Sequence, residues 1–160
     1  MKIKFIYFAL ISVISLKSYS QESAVKKADK KYESYAYIDA IKTYERVAKK
    51  GYKSPEMLQK LGNSYYFNAD LANASKWYGE LFAMTEDLDA EYFYRYSQSL
   101  KGIGEYEKAN QMLEKFNQKS GVDPRAKLYA GQKDYLEQIK KNSGRYTLEN
   151  AGINSEYSDY

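Results

Sequence analysis

Apolar and small residues recur at helical spacing along most of the chain. From residue 22 to residue 141 they fall three or four positions apart, as in Leu58, Leu61 and Tyr65. Such spacing puts an apolar stripe on one side of a helix and predicts helices throughout this region. Turn-forming residues separate the helical runs near positions 51, 68–70, 102–104 and 121. The pattern therefore predicts an all-α fold built from consecutive helical hairpins.

The predicted helices pair along the sequence. They cover about residues 22–34 with 37–50, 54–67 with 71–84, and 89–102 with 106–119, followed by a longer helix over 124–141. Ser54 and Pro55 make a favourable helix start, because serine caps the free amides and proline tolerates the first turn. Asp87 or Asp89 is expected to cap the first helix of the third pair.

Three near-copies of one pattern are centred on alanines. Ala40, Ala74 and Ala109 are spaced 34 and 35 residues apart, and each is followed at the fourth place by a large side chain, namely Tyr44, Tyr78 and Leu113. A fixed period in this range is typical of stacked helical hairpins, which bury their apolar faces only against their neighbours. We expect the alanines to lie where two helices cross closely, so that a large side chain there costs roughly 1–3 kcal/mol.

Composition narrows the function classes. The chain of 160 residues has no cysteine and no histidine, which excludes disulfides, thiol catalysis, Cys/His zinc sites and histidine-dependent relays. Its formal net charge is +4. Lys2, Lys4 and Lys17 lie in a leader that holds no acidic residue, however, and the basic and acidic residues of the remaining chain nearly balance. A nucleic-acid partner is therefore not expected.

Residues 1–20 predict a signal peptide. Residues 1–4 form a short basic start, an apolar run covers residues 5–16, and residues 18–20 supply the small side chains of a cleavage site before Gln21. The apolar run is too short to cross a bilayer core, which needs roughly 20 residues, and no later segment predicts a span. We expect an exported, periplasmic chain.

The C-terminal part contains two further segments, a predicted helix and a polar tail. Residues 122–142 predict a helix that caps the open end of the stack with one apolar side, formed by Leu128, Tyr135, Leu136 and Ile139. Residues 143–160 begin with a strand-like run and continue as a polar, turn-rich tail. Either this tail is disordered, or it is a linker and the first strand of a further domain. The strand-like composition favours the second interpretation.

The hairpins resemble tetratricopeptide repeats (TPRs). The resemblance covers roughly residues 22–121 and implies a right-handed solenoid of about three TPR hairpins over residues 21–121, whose concave groove binds extended peptides or partner proteins. The signature of the second unit includes Leu58, Ala69, Asp70 and Leu81, and that of the third includes Phe93, Tyr96, Glu105 and Phe116. The structural repeat positions are Ala40, Tyr44, Leu61, Gly62, Tyr65, Ala74, Tyr78, Gly104, Tyr106 and Ala109.

The same resemblance implies which residues line the groove, since the first helix of each TPR pair faces it. The matching positions are Asp29, Tyr32, Gln59, Asn63, Tyr66, Phe67, Tyr94, Gln98 and Lys101. Tyrosines and amides suit peptide recognition, although Tyr66, Phe67 and Tyr94 could instead fill the hairpin cores. Of the lysine and asparagine clamp with which some TPRs hold a terminal carboxylate, only Asn63 fits its place. Binding of a partner's terminal carboxylate is therefore not expected.

A narrower resemblance covers the whole chain. The leader, the segments 92–96 and 104–109, and the segment 153–159 are similar to the N-terminal part of Bacteroidetes envelope proteins of the OmpA family, including the PorE-type component of type 9 secretion. This resemblance implies a periplasmic, outer-membrane-associated protein working in secretion, gliding or adhesin assembly. In that family a propeller and a peptidoglycan-binding domain follow the repeats. We expect peptidoglycan contact only through such a downstream domain.

Together these patterns predict a non-catalytic scaffold with an envelope protein or an extended peptide as its partner. The alternatives are a stand-alone exported TPR adaptor and a cell-wall glycan hydrolase using a carboxylate pair such as Glu80 and Glu91. No spacing singles out such a pair. The acidic run Glu86, Asp87, Asp89 and Glu91 also lacks the spacing of a calcium loop. We therefore expect no enzyme activity, no metal and no cofactor.

Overall fold

The computed structural model describes residues 21–131 and 135–145, with side chains omitted from 130 to 136. These residues form helices and turns and contain no strand, which confirms the predicted all-α fold. The helices are α1 (21–33), α2 (Tyr37–Lys49), α3 (Pro55–Phe67), α4 (Leu71–Met84), α5 (Ala90–Gly102), α6 (Tyr106–Lys119), α7 (Pro124–Gly131) and α8 (Tyr135–Asn142). The predicted signal peptide and the strand-like tail from residue 146 onward lie outside the described residues.

Two helix starts follow directly from local sequence. The Ser54 hydroxyl accepts a hydrogen bond from the Met57 amide at 3.2 Å, with Pro55 in the first turn of α3, as expected. The Asp70 carboxylate accepts one from the Asn73 amide at 3.1 Å and caps α4 in the same way. Asp89 occupies the N-cap position of α5 but makes no side-chain capping bond.

The turns inside the three hairpins share one backbone geometry. Tyr35, Ala69 and Gly104 all have positive φ angles, of 61°, 59° and 81°. In each turn the next amide donates to a carbonyl five residues back, at 2.8, 3.0 and 2.9 Å. This is the Schellman helix ending, in which a left-handed residue lets the last carbonyls find donors. The left-handed conformation therefore recurs at the repeat period, although only one of the three residues is glycine.

From α2 to α7, successive helices pack against each other in chain order, and α3 additionally contacts α5. Ala40, Ala74 and Ala109 are fully buried, as expected for close helix crossings. The side chains four positions later, Tyr44 and Tyr78, are also fully buried. The core therefore runs through all three hairpins as a continuous layer.

Gly62 creates space for a ring. A Cβ atom at this position would lie 2.6 Å from Cε1 of Tyr78, a distance that no carbon pair tolerates. The Tyr78 side chain of α4 occupies the space beside this glycine. Gly102 acts similarly, since its Cβ would lie 2.4 Å from Cδ1 of Leu71.

The region predicted to cap the stack packs differently from the expected apolar stripe. Ala126 of α7 is fully buried and α7 contacts α6. Leu128 and Ile139, however, are 64% and 59% exposed. Tyr135 and Leu136 fall among the side chains outside the description. Within the described part of the chain, no helix combines the length and the apolarity that crossing a membrane requires.

Candidate partner-binding face

The first helices of successive hairpins meet on one side of the stack. Side-chain hydrogen bonds join α1 to α3, α3 to α5 and α5 to α7. We call this surface the odd-helix face and define it by residues Asp29, Tyr32, Gln59, Lys60, Asn63, Tyr66, Phe67, Glu91, Tyr94, Arg95, Gln98, Lys101 and Arg125. This definition includes the nine residues that the TPR resemblance assigns to the groove.

Asn63 is the centre of a hydrogen-bond network on this face. Its amide nitrogen donates to the Tyr32 hydroxyl at 3.0 Å. Its carbonyl oxygen accepts from the Tyr78 hydroxyl at 2.7 Å and from Nη1 of Arg95 at 2.9 Å. Asn63 is only 3% exposed, so these bonds satisfy a buried amide. The structure therefore places Asn63 as an organiser of the face rather than as an exposed contact residue.

The α1 end of the face is held by Asp29. Its carboxylate accepts a hydrogen bond from the buried Tyr44 hydroxyl at 2.6 Å and forms an ion pair with Lys60 at 2.9 Å. Burial and the hydrogen bond to Asp29 raise the pKa of Tyr44 far above its ordinary value. Tyr44 therefore stays neutral and keeps its donor proton at any physiological pH.

Two arginines share one carboxylate at the other end. Glu91 accepts from Nε of Arg95 at 3.1 Å and from Nη2 of Arg125 at 2.8 Å, and Arg125 also binds Asp123 at 2.9 Å. Partial burial alone would raise the pKa of Glu91, but the hydrogen bonds and charges of the two arginines outweigh it and lower that pKa. The guanidinium groups are thus fixed in orientation before any partner arrives.

Aromatic rings alternate with these charges. The Phe67 ring is 45% exposed, packs 5.3 Å from Tyr37 and lies 4.9 Å beneath the Arg95 guanidinium. The Tyr94 ring is half-buried and lies 4.3 Å from the Arg125 guanidinium. Such stacking holds planar cations over ring faces. Phe67 and Tyr94 therefore do not fill the hairpin cores completely and keep part of their surface open.

A pocket opens where α5, α6 and α7 meet. Its volume is about 190 Å³. Tyr94, Gln98 and Lys101, three of the residues expected in the groove, lie along one side of α5 and line it. The other lining residues are Leu113, Arg125, Leu128 and Tyr129.

The remaining expected residues have structural partners. Gln59 accepts a hydrogen bond from the Tyr92 hydroxyl at 3.2 Å, and Tyr66 is half-buried beside Phe67. Among the structural repeat positions, Leu61 is fully buried and the Tyr65 hydroxyl donates to Glu45 at 2.8 Å. Tyr106, in contrast, is 44% exposed and contributes little to the core.

Sequence reasoning missed the two arginines. Glu91 and Arg95 stand four residues apart on one helix, and Arg125 stands 34 residues after Glu91, one repeat further along. The signals that could have indicated this network were the opposite charges of Glu91 and Arg95 at helical spacing and a second basic residue, Arg125, one repeat later.

The carboxylates considered for glycan hydrolysis form ion pairs with basic side chains. Glu80 pairs with Lys53, and Glu91 has a lowered pKa between two arginines. A general acid needs the opposite, a raised pKa that keeps its proton at working pH. Among residues 21–131 and 135–145, no cluster of three acidic side chains is placed to hold a metal ion.

Solved structures with the same arrangement of helices are TPR proteins. Yeast Tom70 is 17% identical, with a TM-score of 0.63 over 79% of this chain and 26% of that chain. The fold is that of a tetratricopeptide-repeat solenoid. The C-terminal part of a TPR protein from Cytophaga hutchinsonii is 20% identical, with a TM-score of 0.59 over 72% of this chain. The present chain spans 45% of that solved chain.

A third TPR structure was solved with a ligand. The first TPR of Spaghetti, bound to an HSP90 peptide, is 15% identical, with a TM-score of 0.55 over 76% of this chain and 90% of that chain. No protein-family model matches the sequence, and no curated protein matches it at a significant level. The likeness to TPR proteins therefore lies in the fold, that is, in the arrangement of the helices.

Proposed function

We propose that this TPR protein is a non-catalytic scaffold that binds an extended segment of a partner protein along the odd-helix face. The observation that carries the proposal is a row of partly open aromatic rings, Phe67 and Tyr94 foremost, held by a side-chain network across four helices. Rigid rings bury area on binding at a small entropy cost. The network removes most of the entropy cost of ordering side chains on binding, because it already holds the rings and arginines in place.

The peptide complex of the Spaghetti TPR supports this proposal, since a chain of the same fold holds a peptide ligand. The balance of charges on the odd-helix face points the same way. Lys60, Arg95 and Arg125 are matched by nearby carboxylates, so the face offers specific hydrogen-bonding geometry rather than a uniform electrostatic field. A surface of this kind suits a mixed polar and aromatic peptide better than a polyanion.

The proposed cellular location is based on the sequence alone. The leader over residues 1–20 has the form of a signal peptide, and we place the protein in the periplasm, associated with the outer membrane. We further propose work in type 9 secretion, gliding or adhesin assembly, with peptidoglycan reached only through a downstream domain. Fractionation of cells tests the location. A tagged chain should enter the periplasm and start at Gln21, whereas a chain without residues 1–20 should stay in the cytoplasm.

Site-specific photocrosslinking in the producing cells tests the binding face. A benzoylphenylalanine replaces Phe67, which ends α3, and in a matched control it replaces Met84, which ends α4 of the same hairpin. The two side chains are 45% and 49% exposed, so they differ in face rather than in accessibility. We expect a discrete adduct from position 67 and none from position 84. Adducts from position 84 alone would overturn the assignment of the face.

A further inference from the structure

Helix α8 presents an apolar residue to solvent. Every residue described from 137 to 145 is exposed, and the Ile139 side chain is 59% exposed. Helical spacing puts positions 135, 136 and 139 on one side of α8, and all three are apolar in the sequence. The described part of the chain therefore leaves the side of α8 that carries Ile139 open to another surface.

The charges of the same segment are mostly positive. Its cations are Lys140, Lys141 and Arg145, and its one acid is Glu137. Within the described part of the chain, none of these three cations forms an ion pair. The odd-helix face differs in this respect, because carboxylates match its cations. The end of α8 therefore attracts a negatively charged surface.

The apolar residue distinguishes between two kinds of anionic partner. A soluble polyanion engages the cations through its phosphates or sulfates and leaves an apolar side chain such as Ile139 in water. A bilayer that carries anionic lipid engages both groups, because a basic amphipathic helix lies in the interface with its apolar face towards the acyl chains. The exposed combination on α8 therefore favours a bilayer.

We propose that α8 is a peripheral membrane contact that lies on a bilayer surface containing anionic phospholipid. The apolar side with Ile139 enters the boundary between head groups and acyl chains, while Lys140, Lys141 and Arg145 bind lipid phosphates. With 8 residues, α8 is about 12 Å long, so the contact is reversible. It goes beyond the proposed peptide binding, and none of the residues that define the odd-helix face lies in α8.

A fluorescent dye at position 139 tests the contact directly. The sequence has no cysteine, so Ile139→Cys gives a unique site for the environment-sensitive dye nitrobenzoxadiazole. The chain starts at Gln21, because the apolar leader could itself bind lipid. The matched control is Ile38→Cys on α2, where the native side chain is 62% exposed.

The vesicles contain equal parts of phosphatidylcholine and phosphatidylglycerol, and vesicles of phosphatidylcholine alone are the reference. We expect the dye at position 139 to brighten and shift to the blue with the anionic vesicles and to change little with the reference. Added salt should reverse the change, because it screens the lipid charge. The dye at position 38 should respond to neither kind of vesicle.

Removal of the three cations tests the electrostatic half of the contact. The combination of Lys140→Gln, Lys141→Gln and Arg145→Gln should weaken co-sedimentation with anionic vesicles by roughly a hundredfold, since each cation near such a surface contributes roughly fivefold. A control that alters net charge equally replaces three exposed lysines of α1 by glutamine, namely Lys27, Lys30 and Lys31. This control should bind the vesicles almost as well as the parent.

Ile139→Ser tests the apolar half. It should weaken vesicle binding roughly threefold, because it removes apolar area from the contact, and it should leave binding to heparin, a soluble polyanion, unchanged. Ile38→Ser is the control and should alter neither. Residues 137–145 are exposed, so these changes in α8 remove no core contact, and circular dichroism should show unchanged helix content.

Four outcomes overturn the proposal. They are an equal dye response to both kinds of vesicle, full binding by the variant without the three cations, and vesicle binding that Ile139→Ser does not weaken, which would make the partner a soluble polyanion. The fourth is the same dye response on concentrating the protein without vesicles, which would make a second copy the partner. Crosslinking from position 67 tests the odd-helix face separately, so failure of either proposal leaves the other standing.

Discussion

Replacement of Gly62 by alanine tests how the hairpins fit together. The added methyl carbon would lie 2.6 Å from Cε1 and 2.7 Å from Cδ1 of Tyr78. That ring cannot easily move, because Tyr78 is fully buried and its hydroxyl donates to Asn63 at 2.7 Å. The substitution therefore forces either the ring or the α3–α4 spacing to shift.

The magnitude follows from three contributions. Overpacking costs about 2 kcal/mol, and loss of the Tyr78–Asn63 hydrogen bond costs about 1 kcal/mol more. The better helix propensity of alanine returns about 1 kcal/mol. We therefore expect Gly62→Ala to lower the free energy of unfolding by about 2 kcal/mol, which corresponds to roughly 8 °C in Tm for a domain of this size.

Gly79→Ala is the matched control. Gly79 also lies inside a helix, but its methyl carbon would meet only the end of the half-buried Tyr96 side chain, with the hydroxyl oxygen at 3.2 Å and Cζ at 3.9 Å. This variant should match or exceed the parent's stability by up to about 1 kcal/mol. Urea unfolding followed by far-UV circular dichroism measures both. If Gly62→Ala unfolds at the same urea concentration as Gly79→Ala, the ring does not constrain this contact and the reasoning is wrong.

Four further substitutions test three other features. Ala74→Leu introduces a large side chain at a fully buried crossing and should lower the unfolding free energy by roughly 1–3 kcal/mol; unchanged thermal melting would contradict the close crossing. Ala69→Gly should raise stability and Gly104→Ala should lower it, each by about 1 kcal/mol, because both residues are left-handed; opposite signs in urea titrations are the diagnostic. The pKa of Glu91 is lower in the folded protein than its ordinary value of 4.5, so the ionised Glu91 side chain stabilises the fold above pH 4.5. This stabilisation is lost as the pH falls through the pKa that Glu91 has in the folded protein. Glu91→Gln should therefore flatten the acid side of the stability–pH curve, and an unaltered slope would show that the ion pairs with Arg125 and its neighbours do not form in solution.

The repeat architecture was predictable because it follows from the spacing of small and apolar residues along the sequence. The alanine period and the helical stripes predicted the hairpins, and Ala40, Ala74 and Ala109 are buried as those patterns require. Helix starts followed from single residues such as Ser54. These features depend on contacts between neighbours in the sequence or between equivalent positions, which periodicity reveals.

The chemistry of the odd-helix face was predictable only in part. Family positions indicated which residues lie on it, but they did not show that Asn63 is buried and bonded on both ends. Nor did they reveal Arg95 and Arg125 sharing Glu91. The Asn63 bonds join four helices and the Glu91 bonds join two. The geometry of both depends on how the hairpins are rotated against each other. A single sequence carries little information about that rotation.

The position of Asn63 has a consequence for how the molecule unfolds. A linear array of repeats ordinarily frays from its ends one unit at a time, because each unit depends only on the next. Here one amide joins α1, α4 and α5 through Tyr32, Tyr78 and Arg95. Detaching the first hairpin removes the Tyr32 hydroxyl, which is the acceptor for the Asn63 amide nitrogen in the second hairpin. We therefore expect the loss of the first hairpin to weaken the second, so that this short solenoid unfolds with more cooperativity than hairpins without such a shared side chain.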